Sequence, residues 1–241
     1  MEAREDNLII ELKEEQLVIT IDRAPKANAL TVAMMQAIAG TIQESAKDAS
    51  VKSVVLTASG EKVFCAGVDV RELPPDGDVA KQKERRSLAL AVLQDTVLDT
   101  GIPVICALNG LASGAGAMIA FLADACVAAE SAALSLPEID LGIATFSGAS
   151  MLEAIGGRAL AKDMIQSGRR MSATEAHDRG LINAVAPKSE LIERALEEAK
   201  KLGERDRAVF SNNKRWLNRK IKVAIDEARA EHALHRQAAA R

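Results

Sequence analysis

The spacing of apolar residues changes repeatedly along the chain, and it predicts strands that alternate with helices up to about residue 143. Short apolar runs predict strands over residues 8–12, 17–21, 53–57, 103–108, 125–129 and 133–136. Apolar residues three and four positions apart predict helices from an N-cap at Thr31 to about 48, over 79–99 and over 114–122. This order of elements predicts the α/β class.

From residue 146 onward the same spacing predicts helices almost without interruption. The predicted helices cover residues 146–155, 157–167, 173–179, 189–202 and 207 to the C-terminus. No repeat of fixed period divides the chain. We therefore expect one α/β core followed by a helical C-terminal layer.

Composition narrows the class of function. The 241 residues carry a formal net charge of −3, and 2 % of them are aromatic, with no Tyr. Such a chain lacks both the basic balance and the stacking rings that are typical of nucleic-acid binding, so no nucleic-acid partner is expected. No apolar run reaches the roughly 18–20 residues of a membrane span. Residues 1–6 are polar and do not resemble a secretory signal, so we expect a cytoplasmic protein that does not bind a membrane.

Residue types that commonly bind metals or attack substrates are sparse. The cysteines are Cys65, Cys106 and Cys126, and the histidines are His177, His232 and His235. The cysteines form no C-x-x-C pair and are odd in number, so we expect inert buried thiols rather than disulfides or a zinc site. The histidines lie in polar helical segments and are expected to face solvent without a catalytic role. No spacing predicts a metal site, and the G-x-S-x-G elbow of serine hydrolases is missing.

Two segments rich in Gly and Ala, each after a predicted strand, are the first candidates for chemistry. The first is Phe64-Cys65-Ala66-Gly67-Val68-Asp69, in which a bare N–H near Ala66 or Gly67 could donate to a carbonyl oxygen. The second opens a helix over 114–117, where first-turn amides and the helix dipole favour polarised carbonyls. Each also has a structural explanation, as a strand-to-loop turn and as close helix–strand packing respectively. Neither has the spacing of a nucleotide-phosphate loop.

An acidic residue, Glu138, lies in an otherwise apolar stretch directly after the strand predicted over 133–136. A carboxylate in apolar surroundings has its pKa raised, which suits general acid–base catalysis. The alternative is an exposed Glu in a surface loop. A buried carboxylate beside two free amides would indicate acyl chemistry.

Four segments, in order and at matching distances, resemble the crotonase superfamily, which is the enoyl-CoA hydratase/isomerase family. Residues 22–30, Asp-Arg-Ala-Pro-Lys-Ala-Asn-Ala-Leu, are similar to its R-P-x-x-x-N-A-L stretch, with the proline displaced by one position. Residues 64–69 are similar to its F-x-A-G-x-D motif, and residues 103–116 resemble its K-P-x-I-A-A-x-N-G-x-x-x-G-G-G segment. Residues 176–185 resemble its A-x-x-x-G-L-V-x-x-V segment, so the resemblance extends over nearly the whole chain.

The resemblance implies a crotonase-like ββα spiral core over residues 1–190 that carries an acyl-CoA site. It implies a helical region over 191–241 that takes part in trimerisation, in a homotrimer or a dimer of trimers. The substrate would be a coenzyme A thioester, as in fatty acid metabolism, and no separate cofactor or metal is expected.

The resemblance also implies roles for individual residues. Two backbone amides would hold the thioester oxygen, and the matching positions are Ala66 and Ala115, with Glu138 as the acid and base. Ala115 stands where the commonest pattern has a glycine, and its methyl group could narrow the acyl slot. Substrate contacts are implied for a wider set of residues: Lys26, Ala27, Ala66, Gly67, Val68, Asp69, Val70, Gly114, Met118 and Phe146.

Two departures from the family pattern narrow the expected reaction. Family hydratases carry two glutamates around the attacking water; one matches Glu138, but the other falls on Met118, which cannot activate water. The usual P-G-A-G-G stretch is replaced by Ala-Thr-Phe-Ser-Gly over 144–148. A single carboxylate resembles the family's Δ3,Δ2-enoyl-CoA isomerases, in which Glu138 would move a proton from C2 to C4. Met118 and Phe146 would then exclude water from the dienolate.

Several alternatives to an isomerase stay open. An enoyl-CoA hydratase is one, and the single-glutamate pattern also occurs in family members that decarboxylate, hydrolyse thioesters or form C–C bonds. A degenerate site could also bind an acyl-CoA without turnover.

Coenzyme A carries phosphates, so cations are expected near the mouth of the site. Candidates flank the motifs and lie on the last helix: Arg23, Lys26, Lys62, Arg71, Lys214 and Arg215. The last two would reach the ligand of a neighbouring subunit. Each is equally explained as a solvated surface charge.

Overall fold

The computed structural model describes the backbone of residues 2–5 and 7–239 and the side chains of residues 7–235. Strands within these residues form two sheets. The strands are β1 (Glu2–Glu5), β2 (Leu8–Lys13), β3 (Gln16–Ile21), β4 (Ser53–Ala58), β5 (Val63–Cys65), β6 (Val104–Leu108), β7 (Leu111–Ser113), β8 (Ala125–Ala129), β9 (Ala133–Ser135), β10 (Arg170–Ser172) and β11 (Ala184–Ala186).

Helices connect and cover these strands. The α-helices are α1 (Val32–Ser45), α2 (Val79–Asp99), α3 (Ala115–Leu122), α4 (Phe146–Ser167), α5 (Ala173–Asp178), α6 (Leu191–Gly203) and α7 (Arg207–Ala239). Short 3-10 helices cover Ala24–Lys26, Glu138–Leu141 and Lys188–Glu190. Local capping explains several starts: the Thr31 side chain accepts from the N–H of Met34 at α1, and Asp78 accepts from the N–H of Lys81 at α2.

The larger sheet has the strand order β1-β2-β3-β4-β6-β8-β11. Its strands are antiparallel from β1 to β3 and parallel from β3 to β11. The central strands β4, β6 and β8 are buried along their whole length, as expected for parallel strands covered on both faces. Helix α6 covers one face with the small or aliphatic residues Leu191, Ala195 and Ala199, which lie four apart.

The smaller sheet has the order β10-β9-β7-β5 and positions the candidate site. Strands β5, β7 and β9 are parallel to one another. Their carboxyl ends therefore meet at one edge of the sheet, which is where ligands bind in open parallel sheets. The segments that leave this edge are residues 66–69 after β5, 114–117 after β7 and 136–138 after β9.

The long helix α7 returns across α4 and α2 of its own chain. A buried ion pair fastens it, because Lys214 Nζ lies 2.5 Å from Asp124 Oδ2, and the other contacts of that carboxylate include the N–H of Val104 at 2.8 Å. Lys222 also pairs with Asp99 on α2. The C-terminal helical layer is thus part of the same packed unit as the sheets.

The predicted α/β class and the C-terminal helical layer are confirmed, and most element boundaries agree within three residues. The prediction misses β1, whose sequence is mostly charged, and also β5, β7, β10 and β11, because strands of three residues are too short to show an alternating pattern. Two helices predicted over 146–167 form the single kinked helix α4, with Gly157 at φ +81° between its halves. None of the helices in the described ranges is long and apolar enough to cross a lipid bilayer.

Candidate active site

The three segments that leave the small sheet touch one another. A Cβ atom placed on Gly67 would lie 3.3 Å from the Ser113 carbonyl oxygen and 3.6 Å from the Ala115 amide nitrogen. A Cβ atom placed on Gly114 would lie 3.4 Å from Glu138 Oε1. Gly67 also has φ +99°, a backbone conformation that side chains rarely adopt. The two Gly/Ala-rich segments and the carboxylate therefore form one site, as the sequence predicts.

The structure contradicts the role predicted for the Ala66 amide. Its N–H donates to the carbonyl oxygen of Ala27 at 3.1 Å, so it is not free for a ligand. The reason is a tertiary contact, because residues 27–30 run alongside residues 66–69 and pair with them. Ala66 keeps its place in the segment but is not an oxyanion donor.

The free amide of this segment belongs to Val68. Leu30 and Val68 form an isolated parallel bridge, in which the Leu30 N–H donates to Gly67 O at 2.8 Å and the Asp69 N–H donates to Leu30 O at 2.8 Å. Because the N–H and C=O of a trans peptide point in opposite directions, the Val68 N–H points away from Leu30. It meets no acceptor in the part of the chain that the structure describes.

The second free amide belongs to Ala115, as predicted. Ala115 is the first residue of α3, and Gly114 precedes it with φ +53°. Its N–H has no acceptor within the described ranges, as expected in a first helical turn, and the helix dipole adds positive potential there. Close packing of the helix against a strand, the other explanation for small residues in this segment, applies at Gly116. A Cβ atom on Gly116 would lie 2.7 Å from the backbone oxygen of Cys65 in β5.

Glu138 supplies the charge of the site. Its Oε2 atom is buried and has no hydrogen-bond partner, a condition that no other carboxylate in the described side chains shares. Burial raises the pKa of the Glu138 carboxyl, and its own backbone N–H counteracts this only in part. The carboxyl group can therefore hold and release a proton closer to neutral pH than an exposed Glu. The alternative of a solvated surface Glu is excluded.

Met118 is a buried apolar residue one helical turn after Gly114, the residue that Glu138 touches. Its N–H donates to Gly114 O one helical turn earlier, so its side chain leans over the turn that Glu138 touches. The side chain is buried, and its Cε atom would lie 3.0 Å from a Cβ atom on Gly148 in α4. The structure thus places a thioether, not a second carboxylate, on this side of the site.

Phe146, at the start of α4, contacts two histidines of α7. Its ring centroid lies 5.7 Å from that of His232 and 5.8 Å from that of His235. His232 is half-buried, which corrects the expectation that all three histidines face solvent; His177 and His235 are exposed. The sequence carried no signal for this contact, because it joins residues that are more than 80 positions apart.

Asp69 and Arg23 stabilise the loop rather than offering free charges. Arg23 Nη1 lies 2.8 Å from Asp69 Oδ2 and also donates to Ala29 O, while Asp69 Oδ1 accepts from the N–H of Arg71. Burial acts to raise the pKa of Asp69, but these hydrogen bonds outweigh it and hold the pKa below its usual value. The predicted substrate contact of Asp69 and the predicted phosphate contact of Arg23 are therefore corrected to a structural role.

Lys214 cannot bind a phosphate of a neighbouring subunit, contrary to the expectation. It is 4 % exposed and paired with Asp124. Burial lowers the pKa of Lys214, and the attraction of Asp124 counteracts this. Lys26, Lys62, Arg71 and Arg215 are exposed. Ala27 lies in the first of the two segments that pair beside the site, and its φ is +52°. Val70 directly follows the second segment and is 61 % exposed.

Metal-binding side chains and cysteine thiols were the other candidates for chemistry. No group of three or more His, Cys, Asp or Glu side chains within the described ranges could hold a metal ion. All three cysteines are free and buried. Burial raises the pKa of the Cys65 and Cys106 thiols to about 12, so neither is a nucleophile at neutral pH.

Comparison with known proteins supplies independent information. The family model described as "Enoyl-CoA hydratase/isomerase" matches residues 11–240. The short-chain-enoyl-CoA hydratase of Clostridium acetobutylicum is 32 % identical over 231 residues, which cover 93 % of this chain and 86 % of that protein. Carnitinyl-CoA dehydratase of Salmonella typhi is 38 % identical over 191 residues, which cover 77 % of this chain and 70 % of that protein.

Solved structures show the same fold. The crystal structure of enoyl-CoA hydratase from Bacillus anthracis superimposes with a TM-score of 0.82 at 29 % identity, covering 95 % of this chain and 92 % of that chain. The crystal structure of an enoyl-CoA hydratase from Mycobacterium smegmatis gives a TM-score of 0.82 at 28 % identity, covering 98 % of this chain and 91 % of that chain.

Proposed function

The chain is an enzyme of the enoyl-CoA hydratase/isomerase family, and from this premise we propose that it moves the double bond of an enoyl-CoA from C3 to C2. The observation that carries the proposal is that Glu138, whose Oε2 atom is buried without a partner, touches the turn at Gly114, and that the residue one helical turn later is Met118 rather than a second carboxylate. One acid–base group suits a proton shuttle, whereas water addition in this family uses two carboxylates.

The amides of Val68 and Ala115 would hold the thioester oxygen. Both lack acceptors within the described ranges, and both belong to segments that touch at Gly67. When the proton at C2 leaves, negative charge develops on this oxygen, and two aimed N–H groups stabilise it more than they stabilise the substrate. Losing one such donor typically costs about 10²–10³ in rate.

Glu138 would carry the proton. As the carboxylate, it takes the proton from C2; the C2–H electron pair forms a C1–C2 double bond, the carbonyl π pair moves to the thioester oxygen, and the C3–C4 double bond stays in place, which gives a dienolate. In the second step Glu138 acts as the carboxylic acid: the oxygen re-forms the carbonyl, the C1–C2 pair becomes the C2–C3 double bond, and the C3–C4 pair takes the proton at C4. The raised pKa suits both halves, because the group must accept a proton and then release it.

Met118 and Phe146 would exclude water from the dienolate. Met118 is 5 % exposed, and Phe146 is backed by two rings from α7. The space that the acyl chain would occupy beside Glu138, called the groove below, would then be dry. Exclusion of water also strengthens the hydrogen bonds to the thioester oxygen, because the effective dielectric constant is low.

Hydration of a 2-enoyl-CoA is the second candidate. It is favoured by the names of two relatives, a short-chain-enoyl-CoA hydratase and a carnitinyl-CoA dehydratase. In this reaction Glu138 would have to activate water without a second carboxylate, which predicts slow turnover.

The remaining parts of the proposal concern coenzyme A and assembly. Lys26, Lys62 and Arg71 are exposed near the site and would meet the coenzyme A phosphates. The thioester itself is the reactive group, so no further cofactor is needed. Trp216 and Leu217 on α7 are 66 % and 75 % exposed, and such apolar exposure supports a homotrimer or a dimer of trimers.

The test offers purified protein a 3-enoyl-CoA and a 2-enoyl-CoA in separate reactions. Double-bond migration should be faster than water addition, and the Glu138→Gln variant should lose both activities. Faster hydration by the unaltered protein would overturn the isomerase proposal and favour the second candidate. Binding of both thioesters without any product would identify an acyl-CoA-binding protein.

A further inference from the structure

A buried glutamine lies directly behind Met118. Gln94 on α2 is 2 % exposed, and its Nε2 atom donates to the thioether sulfur of Met118 at 3.4 Å. Its Oε1 atom accepts from Arg229 Nη2 on α7 at 3.0 Å. Three helices therefore meet through one chain of polar contacts that ends on the side chain of Met118.

Arg229 fixes the far end of this chain. Its Nη1 atom lies 2.9 Å from Asp95 Oδ1 and also donates to Asp226, while its Nη2 atom donates to the carbonyl oxygen of Ala91. The guanidinium is thus held at several points and presents one N–H to Gln94 in a defined direction. Three residues further along α7, the ring of His232 contacts Phe146, so the same helix supports both of the residues that are proposed to exclude water.

The hydrogen bond from Gln94 fixes the orientation of the Met118 side chain more closely than packing alone would. A methionine side chain has three rotatable bonds and fills irregular space, so packing specifies its position poorly. A thioether is a weak acceptor, and burying an amide to reach it costs free energy unless both ends of the amide are satisfied. Arg229 and Met118 together satisfy Gln94, and the hydrogen bond to sulfur selects one position of the Met118 side chain.

We propose that Gln94 is a positioning residue that holds Met118 over the groove, and that Arg229 of α7 acts through it. By this means the C-terminal helix sets the access of water beside Glu138, and so the ratio of double-bond migration to water addition. The inference rests on the proposed function. Neither residue touches the reacting atoms.

The test compares Gln94→Leu and Arg229→Met with the control Lys222→Met. Leu keeps most of the volume of Gln94 but cannot donate to sulfur, and Met at 229 cannot donate to Gln94. Lys222 also ties α7 to α2, through Asp99 and, at 3.8 Å, through Asp95, but it contacts neither Gln94 nor Met118. Reactions on a 3-enoyl-CoA are analysed for both the migrated and the hydrated product.

Both test variants should raise the ratio of hydrated to migrated product by about 3–10-fold, the equivalent of one hydrogen bond, with KM within about twofold. The Lys222→Met variant should keep the ratio of the unaltered protein. Equal loss of both reactions at an unchanged ratio would show a merely structural role and would overturn the inference. Should Gln94→Leu not fold, Gln94→Glu retains an acceptor for Arg229, loses the donor to sulfur and must show the same shift.

A binding measurement separates this inference from the proposed function. If the unaltered protein converts no enoyl-CoA, the proposed function fails, but the position of Met118 can still be tested with hexanoyl-CoA and free coenzyme A by calorimetry. The ratio of the two dissociation constants should change by at least about threefold in Gln94→Leu, because the Met118 side chain would contact the acyl chain. A ratio that matches the unaltered protein and Lys222→Met would overturn the inference.

Discussion

Replacing Glu138 with Gln should abolish turnover and stabilise the fold at the same time. The amide has the shape of the carboxyl group but neither its charge nor its capacity to accept a proton from C2. A positioned acid–base group contributes about 10²–10⁴ in rate, and turnover should fall by at least the lower value. The stabilisation follows because the removed charge is buried and its Oε2 atom has no partner.

The sign and size of the stabilisation follow from the raised pKa. Burial raises the pKa of Glu138 in the folded state, so the unfolded chain releases this proton at a lower pH than the folded one. Folding stability is therefore lost as pH rises from the ordinary carboxyl range through the raised value. A tenfold change in the proton-binding constant corresponds to about 1.4 kcal/mol, so the advantage of the Gln variant over the unaltered protein grows with the pKa shift and should be fully present near about pH 8.

Urea unfolding at two pH values measures this effect, with Asp140→Asn as the matched control. Asp140 lies two residues further along the same 3-10 helix but is exposed. Its variant should keep both the activity and the stability of the unaltered protein. The gain from Glu138→Gln should vanish near about pH 3, below the ordinary carboxyl pKa, where the folded and unfolded carboxyl groups are both protonated. A Glu138→Gln protein that retains turnover, or that is less stable near about pH 8, would refute the reasoning.

Three further predictions concern the pH profile, the backbone of the site and the buried ion pair. The rate should rise with pH as Glu138 loses its proton, with a midpoint above the ordinary carboxyl pKa of about 4.3, measured as kcat/KM. Gly67→Ala should lose at least about 10² in turnover because a Cβ would displace the amides, whereas Gly77→Ala, also at positive φ but in open space, should stay active. Lys214→Met should destabilise the fold by about 3–5 kcal/mol in urea by leaving Asp124 unpaired, and a second change, Asp124→Asn, should restore part of the loss.

Local sequence signals predict much of this fold because the capping and spacing rules act over a few residues. The cap at Thr31, the helix α2 and the start of α3 after Gly114 are all visible in the sequence. The strands β5 and β7 are less visible, because three-residue strands depend on their neighbours for hydrogen bonds. The meeting of the Gly/Ala-rich segments with Glu138 could nevertheless be predicted from residue types and the family resemblance.

The residues that the prediction misplaces are those whose roles depend on distant partners. Ala66 and Val68 differ only in what lies beside them, and the bridge to Leu30 decides which amide is free. Lys214 has the appearance of a surface charge on a polar helix until Asp124, 90 residues earlier, is placed against it. Gln94 carries no signal at all in the sequence, because its partners lie on two other helices.

The central claim is that the amides of Val68 and Ala115 hold one thioester oxygen. Ala115→Pro removes the second amide N–H, and proline is compatible with the backbone of the first position of a helix. The matched control Ala115→Gly keeps the N–H.

The most direct measurement is the infrared carbonyl stretch of a bound acyl-CoA labelled with carbon-13 at C1. Polarisation by two N–H donors should lower its frequency relative to the free thioester in the unaltered protein and in Ala115→Gly, and Ala115→Pro should reverse most of that change. A stretch that is the same for the free thioester and for the thioester bound to the unaltered protein would contradict the claim.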